Sequence, residues 1–290
     1  MATSAVAAGP YTNRRRRTQV LRARYPFALE VLDLHGALLG VQEQAFEEAS
    51  AVKPDASHLV AYVAERVVPA VAEVTIAAGP ESLRGAVAGR METADAREIV
   101  AAWIGGEQQV AVDRYLARAS LGPVLEALGS DVSATCVGER DARHCPQCGG
   151  PPQLSYFALA SEDLAAGGRY LECARCHARW GYARMTCAGC GEDSSSRLPI
   201  FNEEGNASGE RGSVVRGLEG RLGDSRGDSK AVFPHIRIEA CESCHQYLLS
   251  IDLLADSAAV PVVDELAALP LDLYAREKGF SKIIPNLMGF

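Results

Sequence analysis

Four Cys-x-x-Cys pairs constrain this chain more than any other feature: Cys145-Pro-Gln-Cys148, Cys173-Ala-Arg-Cys176, Cys187-Ala-Gly-Cys190 and Cys241-Glu-Ser-Cys244. A two-residue gap lets the backbone turn tightly enough to aim both sulfurs at one ion. Two such turns supply a tetrahedral site of four sulfurs. Glycine follows the first and third pairs, as Gly149 and Gly191. Glycine takes positive φ freely, which turns backbone amides toward the sulfurs. Histidine follows the other two pairs, as His177 and His245. It tolerates positive φ better than most residues and can replace the glycine. All eight paired cysteines are therefore expected as metal ligands, four to each of two sites.

Pairing in chain order closes gaps of 24 residues (Cys148 to Cys173) and 50 residues (Cys190 to Cys241). Short closures lose less entropy, which favours this order, while an interleaved cross-brace stays open. The first gap suits a compact ribbon or rubredoxin-like hairpin. The second suits one if residues 202–230, dominated by Gly, Ser, Glu and Arg, form a mobile insertion.

Other uses of the pairs fare worse. The arginines at 14–17 follow a short small-residue stretch and lead into TQVLRARYPFALEVLD, the wrong order and too much charge for an export signal. No apolar run approaches the ~20 residues that span a bilayer. A cytoplasmic location is expected, and there cysteines stay reduced rather than disulfide-bonded. The second and fourth pairs match C-x-x-C-H, the c-type haem pattern, but that chemistry belongs outside the cytoplasm and leaves two pairs unexplained. A thioredoxin-type centre needs one pair, not four. A tetrahedron of thiolates accepts zinc or iron, so spacing does not select the metal.

Residues 1–12 read as a flexible tail and Arg14–Arg17 as a solvated helix start. Residues 13–130 read as a helical domain. Val31, Leu34, Leu38, Val41 and Ala45 mark one helix face after Pro26. A second helix over 58–77 is expected to kink at Pro69. Thr93 is expected to cap a third, containing Ile99, Val100 and Trp103. Gly122-Pro123 is expected to interrupt a fourth. Two metal modules follow, at 140–186 and 187–250, with short strands such as Leu154–Leu159, Arg169–Glu172 and Arg179–Met185. A C-terminal helical segment closes the chain over 251–290, with Gly279 as its stop. The fold class is α with small β: a helical domain, two rubredoxin-like (zinc-ribbon-like) modules and a C-terminal helix. Cys136 stands alone and reads as a buried apolar residue. His35, His58, His144 and His235 are not counted as ligands.

A net charge of −8 weighs against nucleic acid, which asks for a basic face. The sequence shows no nucleotide-binding glycine motif after a strand and no nucleophile–base pair at motif spacing, which ranks a redox enzyme or iron electron carrier below a non-enzymatic role.

The ordered set HCPQCGGPP (144–152), RYLECARCHARW (169–180), RMTCAGCG (184–191), IEACESCHQYLL (238–249) and ELAALPLDLYAREKGF (265–280) resembles the formate dehydrogenase accessory protein FdhE family. YLARASLGPVLEALG (115–129) resembles that family's last helix before the metal region. The resemblance implies a helical domain followed by two rubredoxin-like modules, with the eight paired cysteines as ligands and iron as the metal. It also implies a non-enzymatic accessory role in the cytoplasm, through contact with the formate dehydrogenase catalytic subunit. Residues 202–230 run longer than the family pattern.

Overall fold

The computed structural model describes residues 9–158, 167–203, 213–214 and 231–290. Its helices are α1 (Pro10–Arg24), α2 (Leu29–Val52), α3 (Leu59–Tyr62), α4 (Val68–Ala78), α5 (Glu81–Thr93), α6 (Ala96–Ile104), α7 (Ala111–Leu128), α8 (Ser130–Ser133), α9 (Pro261–Ala267) and α10 (Leu269–Glu277). The strands are β1 (Pro152–Ala158), β2 (Gly168–Cys173), β3 (Arg179–Gly181), β4 (Ile200–Asn202), β5 (Ser213–Val214), β6 (Ile236–Cys241), β7 (Gln246–Asp252) and β8 (Ser281–Lys282). Among the described residues no helix is long and apolar enough to cross a membrane.

The N-terminal helices pack around α7, which is buried along most of its length. α7 runs unbroken through Gly122-Pro123, against the expected interruption. Pro123 has no N–H to donate to the Ala119 carbonyl one turn back. The Gln42 side chain, reaching across from α2, donates to that carbonyl instead at 3.1 Å. Pro69 is accommodated differently: a π-helical turn over Val63–Val67 leads into α4, with Pro69 in the first turn where no N–H is needed. Helix α6 is capped not by Thr93 but by Asp95, whose carboxylate accepts the Arg97 N–H at 2.8 Å. Thr93 ends α5, a helix without a sequence-level signature, since Val87 is its one buried residue.

The arginine run also departs from expectation. Of the expected tail, residues 1–8 lie outside the described residues, and α1 already begins at Pro10. Arg14 and Arg17, three apart, share its buried face. Arg14 donates two hydrogen bonds to Glu126 of α7, at 2.8 and 2.7 Å. Arg17 grips Asp264 of α9 and Asp256. Arg15 pairs with Glu43 at the surface. The first and last members of the run thus tie α1 to α7 and to α9, rather than all facing water.

The strands form one sheet in the order β3-β2-β1-β7-β6-β4-β5, with β8 against β7. β1 and β2 make one antiparallel hairpin, β6 and β7 another. Parallel pairing of β1 with β7, from Ser155↔Ser250 to Phe157↔Asp252, fuses them. The two metal modules therefore share a sheet rather than standing apart. Most of the expected insertion at 202–230 lies outside the described residues; Ser213–Val214 pairs with β4. Helices α9 and α10 cover the sheet, with Leu266 and Leu271 buried beside Ile238, Leu249 and Ile251.

Candidate metal centres

Each Cys-x-x-Cys pair folds as a tight knuckle. The residue after the second cysteine has positive φ in all four: Gly149 (67°), His177 (57°), Gly191 (84°) and His245 (55°). At three of them its N–H donates back to the first cysteine's carbonyl: Gly149 to Cys145 (2.9 Å), His177 to Cys173 (3.2 Å) and Gly191 to Cys187 (2.9 Å). Both C-x-x-C-H histidines are thus turn residues.

The knuckles meet in chain order. Cys145, Cys148, Cys173 and Cys176 form one cluster, and Cys187, Cys190, Cys241 and Cys244 the other, each with its sulfurs within 4.8 Å of one another. The cross-pair Sγ···Sγ distances are 3.6 Å (Cys145–Cys176) and 3.4 Å (Cys148–Cys173) in the first cluster. They are 3.8 Å (Cys187–Cys244) and 3.7 Å (Cys190–Cys241) in the second. A tetrahedron with metal–sulfur bonds of about 2.3 Å has edges of about 3.8 Å, whereas a disulfide needs about 2.05 Å. All nine cysteines are free. Backbone N–H groups point at the sulfurs: Gly150 to Cys148 (3.4 Å), Arg175 to Cys173 (3.3 Å) and Gly189 to Cys187 (3.3 Å). Such bonds stabilise thiolate charge. The donor set and its spacing fit a tetrahedral ion in each cluster.

The clusters differ in setting. All four sulfur residues of the first are buried in the same apolar core as Trp103, Leu121 and Val124. Close packing there depends on glycine. A Cβ on Gly150 would lie 2.9 Å from the Cys173 sulfur and 3.2 Å from that of Cys148. A Cβ on Gly122 would lie 3.3 Å from His177 Nε2, so the residue expected to break α7 lets the helix approach the knuckle. Behind His177 lies Glu172, fully buried, with Nδ1 and Oε1 3.5 Å apart. Burial works to raise the Glu172 carboxyl, but His177 and Arg179 outweigh it and hold it below the usual range. In the second cluster Cys190 is exposed and Cys244 partly so. The Tyr182 hydroxyl donates to the Cys187 carbonyl (3.0 Å) and Arg143 to the Gly189 carbonyl (3.1 Å), tying the two knuckle regions together.

The remaining candidates fall outside the clusters. Burial pushes the Cys136 thiol up to about 11, so it stays protonated. His144 bonds Asp141 at 2.7 Å. His235, Asp256 and Asp264 lie within ligand distance of one another, but the Arg17 guanidinium already supplies their cation. Sequence reasoning passed over Gly150 and Arg175; the Gly149-Gly150 doublet was the available signal for the former.

Two family models match, one described as "FdhE, central domain" over residues 144–184 and one as "FdhE, C-terminal domain" over 222–288. Between them they take in knuckles of both clusters. Over these two stretches the chain is similar to the FdhE family. A protein FdhE homolog of Aquifex aeolicus is 33% identical over 147 residues, covering 51% of this chain and 42% of the relative. One from Pseudomonas aeruginosa is 29% identical over 186 residues, covering 64% and 48%. The chain thus spans under half the length of these FdhE homologs. The crystal structure of the FdhE protein from Pseudomonas aeruginosa superposes with a TM-score of 0.60 at 22% identity, covering 96% of this chain and 95% of that one. That likeness shows the shared fold.

Proposed function

We propose that this chain is a non-enzymatic, cytoplasmic accessory factor that helps bring formate dehydrogenase to its active state by contacting the catalytic subunit. Each four-cysteine cluster holds one ion in this reading, Cys145, Cys148, Cys173 and Cys176 the first, Cys187, Cys190, Cys241 and Cys244 the second. Iron is the metal the family resemblance suggests, and zinc suits the same ligands. The observation that carries the reading is the gathering of eight sulfurs into two groups of four, each at metal-ligating distances, in a chain whose cysteine region matches the FdhE domain models. Each ion would cross-link two knuckles that lie far apart in the chain, so binding energy becomes folding energy. Iron in such a site can also change oxidation state.

The test is a Cys145→Ser/Cys187→Ser double variant in cells lacking the native gene. The variant is expected to purify without metal and to leave formate dehydrogenase inactive. Full activity from a variant verified as metal-free would overturn the proposal.

A further inference from the structure

Arg175 is 4% exposed, yet its charge has no carboxylate partner. Among the described residues no salt bridge within 4.0 Å reaches it, while the nearby Arg169 and Arg179 pair with Glu239 and Glu172. Its guanidinium donates to two carbonyls, those of Val137 (2.9 Å) and Cys148 (3.1 Å). It stacks over the Trp103 ring at 5.6 Å, and its Nε has no partner. Arg118 stacks on the same ring at 5.8 Å, but Gln153 links it onward to Glu265. Arg175 has no such link. A buried cation without a counter-charge is strongly unfavourable, so the balancing anion must lie close by.

With an ion bound, the first cluster would supply that anion. Four thiolates around a divalent ion carry two net negative charges, and around a trivalent ion one. Arg175 sits within the second knuckle, its backbone N–H on the Cys173 sulfur and its side chain closing over the first knuckle at Cys148. The matching positions of the second cluster are Gly189 and Ser243, which carry no charge. Of the cations that approach that cluster, Arg143 and Arg197 are partly or fully exposed, Arg143 already pairs with Asp141, and the buried Arg169, which donates to the Thr186 carbonyl, is balanced by Glu239.

We propose that Arg175 is the buried counter-charge of the first four-cysteine site, setting how tightly that site retains its ion and, with iron, its potential. This rests on the metal reading above. The test uses a Cys187→Ser/Cys241→Ser background, so that only the first site loads. Arg175→Gln and Arg175→Met remove the charge, Gln keeping a donor for the carbonyls; Arg175→Lys keeps the charge. Zinc release to a chromogenic chelator is expected to quicken about 10- to 100-fold in whichever neutral variant folds, as for other residues supporting metal ligands. Arg175→Lys should stay near the parent. With iron loaded, losing the cation disfavours the more negative ferrous site, so the midpoint potential should fall by about 59 mV or more, tenfold in the one-electron equilibrium. Neutral variants that match Arg175→Lys in release and potential would overturn the proposal. A background protein that takes up no metal with Arg175 intact would instead overturn the metal reading itself.

Discussion

Gly150→Ala places one methyl group against the first cluster, and the outcome can be worked through from distances. The new Cβ would lie 2.9 Å from the Cys173 sulfur, 3.1 Å from Arg175 Cβ and 3.2 Å from the Cys148 sulfur. Optimal separations for non-bonded heavy atoms are about 3.5–4.0 Å, so all three contacts are overlaps. Neither sulfur has room to yield, because each is fixed by a backbone N–H and by its place in the tetrahedron. Overpacking of this kind costs about 1–3 kcal/mol. Charged against ion binding, that is roughly a 5- to 140-fold loss of affinity, since each 1.4 kcal/mol is tenfold. Zinc titration against a competing chelator would read it, with the second cluster as reference inside the same molecule. Gly181→Ala is the control, since nothing lies within 4 Å of its Cβ position. Wild-type affinity at the first site in a Gly150→Ala protein would refute the reasoning.

Gln42→Leu should cost about 1–3 kcal/mol by leaving the Ala119 carbonyl without a donor, and Pro123→Ala in the same chain should restore most of it through a regained N–H. Urea midpoints of the double-mutant cycle check this; an equal Gln42→Leu cost with Pro123 and with Ala at that position would refute it. His35 is buried, and burial, with Arg14 nearby, holds it down to about 3 from the usual 6.5. Its folded pKa lies below the unfolded one, so the unfolded chain binds more protons between those values. The stability it contributes is complete above pH 6.5 and lost as pH falls toward 3, at up to about 1.4 kcal/mol per pH unit. His35→Gln should lose less stability than wild type between about pH 7 and 5, and parallel curves in urea unfolding would count against the assignment.

The candidate sites were legible because each knuckle is a local object. Two cysteines, their spacing and the following Gly or His are all the geometry requires, and the positive φ of His177 and His245 follows from the same few residues. What escaped was set by residues far away in the chain. Arg14 and Arg17 look like any surface charge run until Glu126 and Asp264 arrive 112 and 247 positions later. Pro123 reads as a helix breaker because Gln42, which serves the Ala119 carbonyl from 77 residues away, carries no mark of its task. The joining of two hairpins into one sheet depends on three β1–β7 residue pairs whose strands show no feature particular to each other. Arg175 hides inside a motif in which the intervening residues are usually taken as spacers.

That parallel seam has a consequence for how the molecule is made. β1 ends at Ala158 and its partner β7 begins at Gln246. At about 5–20 residues per second, a ribosome needs roughly 4–18 s to bring the second strand out after the first. Once β2 has followed, it covers one edge of β1, and the other stands open until β7 arrives, its backbone groups unpaired. The first four cysteines have all emerged by then. An ion captured during synthesis would clamp that early hairpin while its far edge waits for β7.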